Sequence, residues 1–379
     1  MKHRIFILRA LLLLTGFGIA HFTPAHAEDT SEGIAVEVGA DPSVNAPTRG
    51  GDLVEDDWDL PGISLDPSTW RGRSPKLGDD FDNLTPTQQA ERLLAVAFAQ
   101  AEAGQLRSSR RTARRITRNY ALTDTAGEAW FLKGTLWMTR ARWDRAFDAF
   151  QKVIEEYPAF EAFDTVIRKQ FDSATAMMEG ARGRIFWVFP GFRQNEKARN
   201  SFEQIVRNAP YSDFAPLALM NAAIIAQRQG KTDAEIDALD RLINFYADSV
   251  LAPDAYFALA ESFADLVRGP AYDQGSTREA ISYFEDFLIL FPRSPDVPAA
   301  EAGLSDMMEI LAESRLSIGD FYYFYRNNNT AALIFYNEAI TVAPQSSTAT
   351  QARQRIEDIE RGVQPVLGNR ILRRLLFVN

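Results

Sequence analysis

No cysteine occurs in the 379 residues, so no disulfide, thiolate zinc site, thiol nucleophile or lipid-modified cysteine is available. Histidine is almost as scarce: His3, His21 and His26 are the three, all close to the N-terminus. If that segment is removed, the remaining chain holds neither residue type. This excludes a Ser-His-Asp triad, zinc-protease chemistry and most transition-metal sites. Beyond the N-terminal stretch no apolar run is long enough to span a bilayer. The overall composition, 46% hydrophobic and 24% charged, is that of an ordinary globular protein. The expectation is a protein that is not an enzyme and uses no cofactor or metal.

The N-terminus reads as an export signal. Lys2, Arg4 and Arg9 precede an apolar stretch from Ala10 to Ala20 with four consecutive leucines, and Ala25-His26-Ala27 fits a small-x-small cleavage site. The apolar stretch is well short of the ~20 residues that cross a membrane. Residues 1–27 are therefore expected to be a signal peptide cut after Ala27, leaving a soluble periplasmic protein. With no cysteine at the cut, it is not expected to be a lipoprotein. Cleavage leaves 38 basic against 51 acidic side chains, a net charge of −13. Such a surface repels nucleic acid and anionic membranes over most of its area, so no nucleic-acid partner is expected.

Residues 28–85 lack helical periodicity. They hold Pro42, Pro47, Pro61, Pro67 and Pro75, several glycines and the acidic cluster Glu55-Asp56-Asp57-Asp59, and read as an extended or disordered tether. Trp58 and Trp70, beside Arg71 and Arg73, are costly to leave wet and are candidates to dock elsewhere. The Asp79-Asp80-Asp82-Asn83 group lacks the loop spacing and terminal Glu of an EF-hand, and reads as a solvated acidic turn.

From Pro86 to Gly362 the pattern is helical and repeats. In Gly127–Pro158, Trp130, Gly134, Trp137, Ala146, Phe150 and Pro158 occupy the slots of the tetratricopeptide pattern, with Lys133 in place of its leucine. Small residues let two antiparallel helices approach, aromatics fill the gap to the next hairpin, and proline ends the second helix. The second-helix half recurs as Ala198-x₃-Phe202 before Pro210, Ala280-x₃-Phe284 before Pro292, and Ala332-x₃-Tyr336 before Pro344. A degenerate copy has Leu239 and Ala247, and an N-terminal copy keeps Ala113 and Ile116. The reading is an all-α, tetratricopeptide-repeat-like solenoid of about six helical hairpins, closed by a capping helix near Ser347–Arg361.

Two repeat spacings exceed the usual period of about 34 residues, so first helices or loops must be longer there. One insertion, Gly180 to Asn195, contains Phe186, Trp187 and Phe189, and another spans Gly269–Ser276. The last first helix is expected to run from about Pro298 to Tyr325. Residues 363–379 form a basic, apolar tail carrying Arg370, Arg373 and Arg374. Its partner is open between an acidic face of the array, another protein and the membrane surface, the last touched only through this tail or indirectly.

Gly230-Lys231-Thr232 resembles the end of a P-loop but lacks the upstream glycine, and reads as a turn. Glu261-Ser262 resembles the pair used by lytic transglycosylases, without that family's downstream signature, and Glu261 is expected to be exposed on a first helix. First helices line the concave groove of such arrays, where extended peptides bind. By register the candidate groove residues are Glu91, Leu94, Phe98, Glu128, Phe131, Thr135 and Met138, with inter-repeat packing equally open for each. Candidate docking residues are Phe186, Trp187 and Phe189 in the insertion and Arg370, Arg373 and Arg374 in the tail.

The ordered run Ala280-Ile281-x₂-Phe284-x₂-Phe287-x₃-Phe291-Pro292-x-Ser294, then Leu311-Ala312 and Ile318-Gly319-Asp320-Phe321-Tyr322, resembles the C-terminal repeats of the BamD (ComL) family, as does Asn208–Asp213. The resemblance extends over roughly residues 89–352. It implies a non-catalytic periplasmic scaffold at the outer membrane, assisting assembly of β-barrel proteins. The implied partners are a POTRA-containing barrel assembly subunit, held by the C-terminal repeats, and unfolded outer-membrane substrates. BamD proteins are typically lipoproteins, and here there is no cysteine to lipidate. The alternatives are another periplasmic repeat adaptor, coordinating envelope constriction with wall synthesis, or a wall enzyme like the lytic transglycosylases.

Overall fold

The computed structural model describes residues 77–363, apart from residues 79, 181–194 and 273. The chain enters the array through a short 3-10 turn at Phe81–Asn83. Thirteen α-helices follow among the described residues: α1 Pro86–Glu102, α2 Leu106–Asn119, α3 Thr125–Met138, α4 Trp143–Glu156, α5 Phe163–Met178, α6 Asn195–Asn208, α7 Phe214–Gln229, α8 Thr232–Phe245, α9 Ala252–Asp265, α10 Gly275–Leu290, α11 Val297–Phe324, α12 Asn329–Val342 and α13 Ser347–Glu360. They pair as six successive antiparallel hairpins with α13 as the closing helix. No strand occurs among the described residues.

Helix boundaries follow local chemistry. Thr85 and Gln88 form a capping box at the start of α1, with Pro86 at the first helical position, where its missing N–H costs nothing. Gly230 ends α7 at φ +68°, a left-handed turn that suits glycine and leads at once into α8. Ser346 caps α13 by accepting from the Ala349 N–H. The long α11 accounts for one of the two enlarged repeats, and the other encloses residues 181–194.

The core is a chain of local clusters rather than one interior. One joins α1 to α3 and another α3 to α5. A larger one runs from α4 to α9, and two more hold α9 to α11 and α11 to α13. This is the nearest-neighbour packing of a repeat array. The alanines of the recurring Ala-x₃-aromatic pairs are fully buried, and so are Phe150, Phe202 and Tyr336. Where the alanine slot is polar, a partner has been found. Ser109 Oγ donates to the Ala97 carbonyl at 2.7 Å, and Glu235 Oε1 accepts from Ser262 Oγ at 3.0 Å.

Two further devices tie repeats together. Tyr157, just after α4, donates to the Ala121 carbonyl at 2.8 Å, and Tyr246, just after α8, donates to the Pro210 carbonyl at 2.7 Å. Both bonds span 36 residues, one repeat back along the chain. Between α4, α5 and α6, Gln151, Gln170 and Asn208 exchange side-chain amide hydrogen bonds of 2.7–3.0 Å.

Two details differ from the expectations. The residues just before α1 pack onto it: Phe81 is buried, and Arg92 donates to Asp80 at 2.8 Å and to the Leu77 carbonyl at 3.1 Å. The acidic turn is thus partly an anchor for a buried arginine. Glu261, expected to be exposed, is half-buried beside other carboxylates, because it sits on the face of α9 that looks toward the start of α11.

Candidate interaction surfaces

The predicted groove residues fall on α1 and α3, and most are inside. Leu94, Phe98, Phe131 and Thr135 are buried, Glu128 and Met138 are half-buried, and Glu91 is exposed. Phe131 lies 5.7 Å from both Phe150 and Phe160, and Thr135 Oγ1 donates back to the Phe131 carbonyl. These side chains hold hairpins together, the packing role left open for them. Phe186, Trp187, Phe189, Arg370, Arg373 and Arg374 lie outside the described residues.

The surface that does face solvent has three distinct regions. On the first hairpins it is basic and aromatic. Two guanidinium groups lie against Trp137, with Arg110 4.4 Å and Arg145 4.8 Å from its ring centre. The Lys133 ammonium sits 3.0 Å from the Trp130 ring centre, and its pKa falls to about 8 through burial and then the neighbouring charge of Arg114. Burial and the charges of Arg140, Arg145, Arg107 and Arg111 also lower the pKa of Arg110. The arginines of α2 were visible in the sequence as a run with no acid among them, but helical register alone did not place them beside Trp137.

The second region is acidic. Asp254, Glu261 and Asp265 follow one another along one face of α9. Burial, then Asp265, Asp296 and Glu235, raise Glu261 to about 7, and burial likewise raises Glu235 and Asp254. No group of acids among the described residues has metal-binding geometry. Ser262 is hydrogen-bonded to Glu235 and to the Ala258 carbonyl and is buried, so its hydroxyl is not presented to a substrate.

The third region is apolar, at the last hairpin. Leu311 and Arg315 of α11, with Leu333, Ile334 and Val342 of α12, line an open groove of about 810 Å³. Arg315 pairs with Glu338 across it at 3.3 Å, and Ile334 is 56% exposed. No motif marks this groove in the sequence, because its lining is assembled from two helices, α11 and α12.

Successive antiparallel helical hairpins packed on their neighbours define a tetratricopeptide-like repeat protein. Residues 128–159 match the family model for the tetratricopeptide repeat, and residues 192–363 match the model for YfiO, described as an outer membrane lipoprotein. The C-terminal part of the chain is thus similar to the BamD-like YfiO family, and the second hairpin to the tetratricopeptide repeat. No curated protein matches it in sequence. Solved structures similar to it include a tetratricopeptide repeat protein from Parabacteroides merdae, at 13% identity over 70% of this chain and 97% of that one, with a TM-score of 0.30. YrrB, described as a repeat protein with an unusual peptide-binding site, is 15% identical over 60% of this chain and 91% of its own, with a TM-score of 0.27. PilW, a type IV pilus biogenesis factor, is 14% identical over 70% and 98%, with a TM-score of 0.24. The fold assignment rests on the repeat register and the matched models rather than on these structures.

Proposed function

We propose that the protein is a non-catalytic periplasmic scaffold at the outer membrane that assists assembly of β-barrel proteins, as BamD does. The observation that carries this reading is the match of residues 192–363, from just before α6 through α13, to the outer membrane lipoprotein family. In this reading the last hairpins hold a POTRA-bearing barrel subunit, and the exposed apolar groove beside Ile334 is the surface offered to it. Unfolded barrel substrates meet the N-terminal hairpins. The export signal expected at residues 1–27 is in keeping with a periplasmic location, and in this reading a chain without cysteine is held at the membrane through protein contacts.

The test is capture of partners by the mature protein from detergent-solubilised envelope, read by mass spectrometry. Recovery of a POTRA-containing barrel protein, lost in Leu333→Asp/Ile334→Asp, is the expected result. Recovery of division or wall-synthesis proteins in its place would leave the fold standing and make the envelope-constriction adaptor the better reading.

A further inference from the structure

Helix α2 is anomalous in this acidic protein. It carries six arginines, Arg107, Arg110, Arg111, Arg114, Arg115 and Arg118, and no acid. Five are exposed and Arg110 is half-buried. None forms an ion pair with a carboxylate among the described residues. Arg140 and Arg145, whose charges also act on Arg110, extend the same positive field. Like charges crowded on one face repel one another, so an unneutralised patch of this kind favours an acidic occupant.

We propose that the basic face of α2 is covered by the chain's own acidic segment Glu55–Asp59, strapped across it from the N-terminal side. Three observations support the assignment. The first is the point of entry. The chain reaches the array at Leu77–Phe81, where Arg92 of α1 grips Asp80 and the Leu77 carbonyl, and Arg115 of α2 lies 5.5 Å from the Phe81 ring centre. The path from the N-terminal segment therefore begins beside α2.

The second is reach. About 18 residues separate Asp59 from Leu77, on the order of 60 Å when extended. A helix of 14 residues is only about 21 Å long, so the acidic segment reaches every arginine on it. The third is complementarity. Glu55, Asp56, Asp57 and Asp59 surround Trp58, so one short stretch offers four carboxylates and a ring on which a guanidinium stacks. The rest of the array is predominantly acidic and repels such a segment. Tethering also places it near α2 at an effective concentration of about millimolar, ahead of a free acidic partner of equal affinity. This inference stands apart from the outer-membrane reading.

Because the chain has no cysteine, an engineered pair reports contact without interference. Ser64→Cys/Ser108→Cys, placed beside the acidic segment and at the start of α2, is expected to form an intramolecular disulfide readily at low salt. Closure should slow about tenfold or more in Arg111→Glu/Arg114→Glu, or when salt is raised enough to screen exposed charges. Adding Asp56→Arg/Asp57→Arg to the glutamate variant should restore it, and circular dichroism should be unchanged throughout. Closure that ignores salt and both charge changes would overturn the proposal. So would binding of the unmutated mature protein to phosphatidylglycerol vesicles through Arg111 and Arg114 at physiological salt, since that requires an open face.

Discussion

A Cβ atom placed on Gly134 would lie 2.4 Å from Phe150 Cε1, closer than any real contact allows. Gly134 is on α3 and Phe150 on α4, so this pair sets how closely the two helices of the second hairpin approach. The same relation recurs twice: Gly303 stands under the Phe284 ring and Gly319 under the Tyr336 ring, each with a nearest approach of 2.5 Å. The long α11 thus carries two such seats, one for the hairpin before it and one for its own.

Two opposite changes test the seat. Phe150→Ala leaves a cavity in a fully buried site and is expected to cost about 3–5 kcal/mol in denaturant unfolding. Gly134→Ala overpacks the same site and is expected to cost about 1–3 kcal/mol. The double variant should cost clearly less than the two costs added, since the small side chain relieves the clash. Additive costs would mean that the two residues do not share the site.

The hairpin count, the closing helix and the 28-residue helix Val297–Phe324 were legible in the sequence, because Ala-x₃-aromatic pairs and prolines recur with fixed offsets. Buried polar contacts were not. Glu235 falls in the slot that alanine fills elsewhere, and nothing local says that Ser262, 27 residues on, supplies its hydrogen bond. The groove residues show the same limit from the other side. Register places Leu94, Phe98, Phe131 and Thr135 on first helices, but which face of a first helix is covered depends on neighbours that the repeat pattern does not specify.

Lys133 occupies the slot where the repeat pattern has leucine, and burial holds its pKa near 8. Its folded pKa lies below the unfolded value, so the folded state binds fewer protons between about pH 8 and 10.5 and stability rises with pH there. Lys133→Leu should remove that slope. It should also raise stability at pH 7 by about 1 kcal/mol, by replacing a desolvated ammonium with an apolar group. Unchanged slopes in pH-dependent urea unfolding would show that Lys133 is solvated.

Glu261 gives the opposite sign. Its folded pKa is raised to about 7, so the folded state binds more protons than the unfolded state between about pH 4.5 and 7, and stability falls as pH rises through that window. Glu261→Gln is expected to match the parent at pH 4 and to exceed it at pH 8 by about 1–2 kcal/mol, allowing for solvent screening. The nearby carboxylates of Asp265, Asp296 and Glu235 add to the effect of burial on Glu261. The scaffold reading adds that Glu261→Gln leaves any wall-cleaving activity in a preparation unchanged, whereas a transglycosylase would lose it.

The amide network at Gln170 separates packing from polarity. Gln170 is fully buried, and it donates to Gln151 Oε1 at 2.8 Å while accepting from Asn208 Nδ2 at 3.0 Å. The sequence neighbours of Gln170 on α5 include the buried Ile167 and Ala174, so the helix face itself is apolar. Gln170→Leu keeps the volume but removes both bonds. Gln151 and Asn208 still bond each other at 2.7 Å, so only part of their capacity is orphaned. The expected cost is about 1–3 kcal/mol. Gln170→Ala adds a cavity and should cost more than Gln170→Leu. Amide exchange should then accelerate in α4, α5 and α6 ahead of α11 and α12, because hairpins of an array contact only their neighbours. Equal acceleration along the whole array would instead mean that it unfolds as a single unit, with no local weak point at this junction.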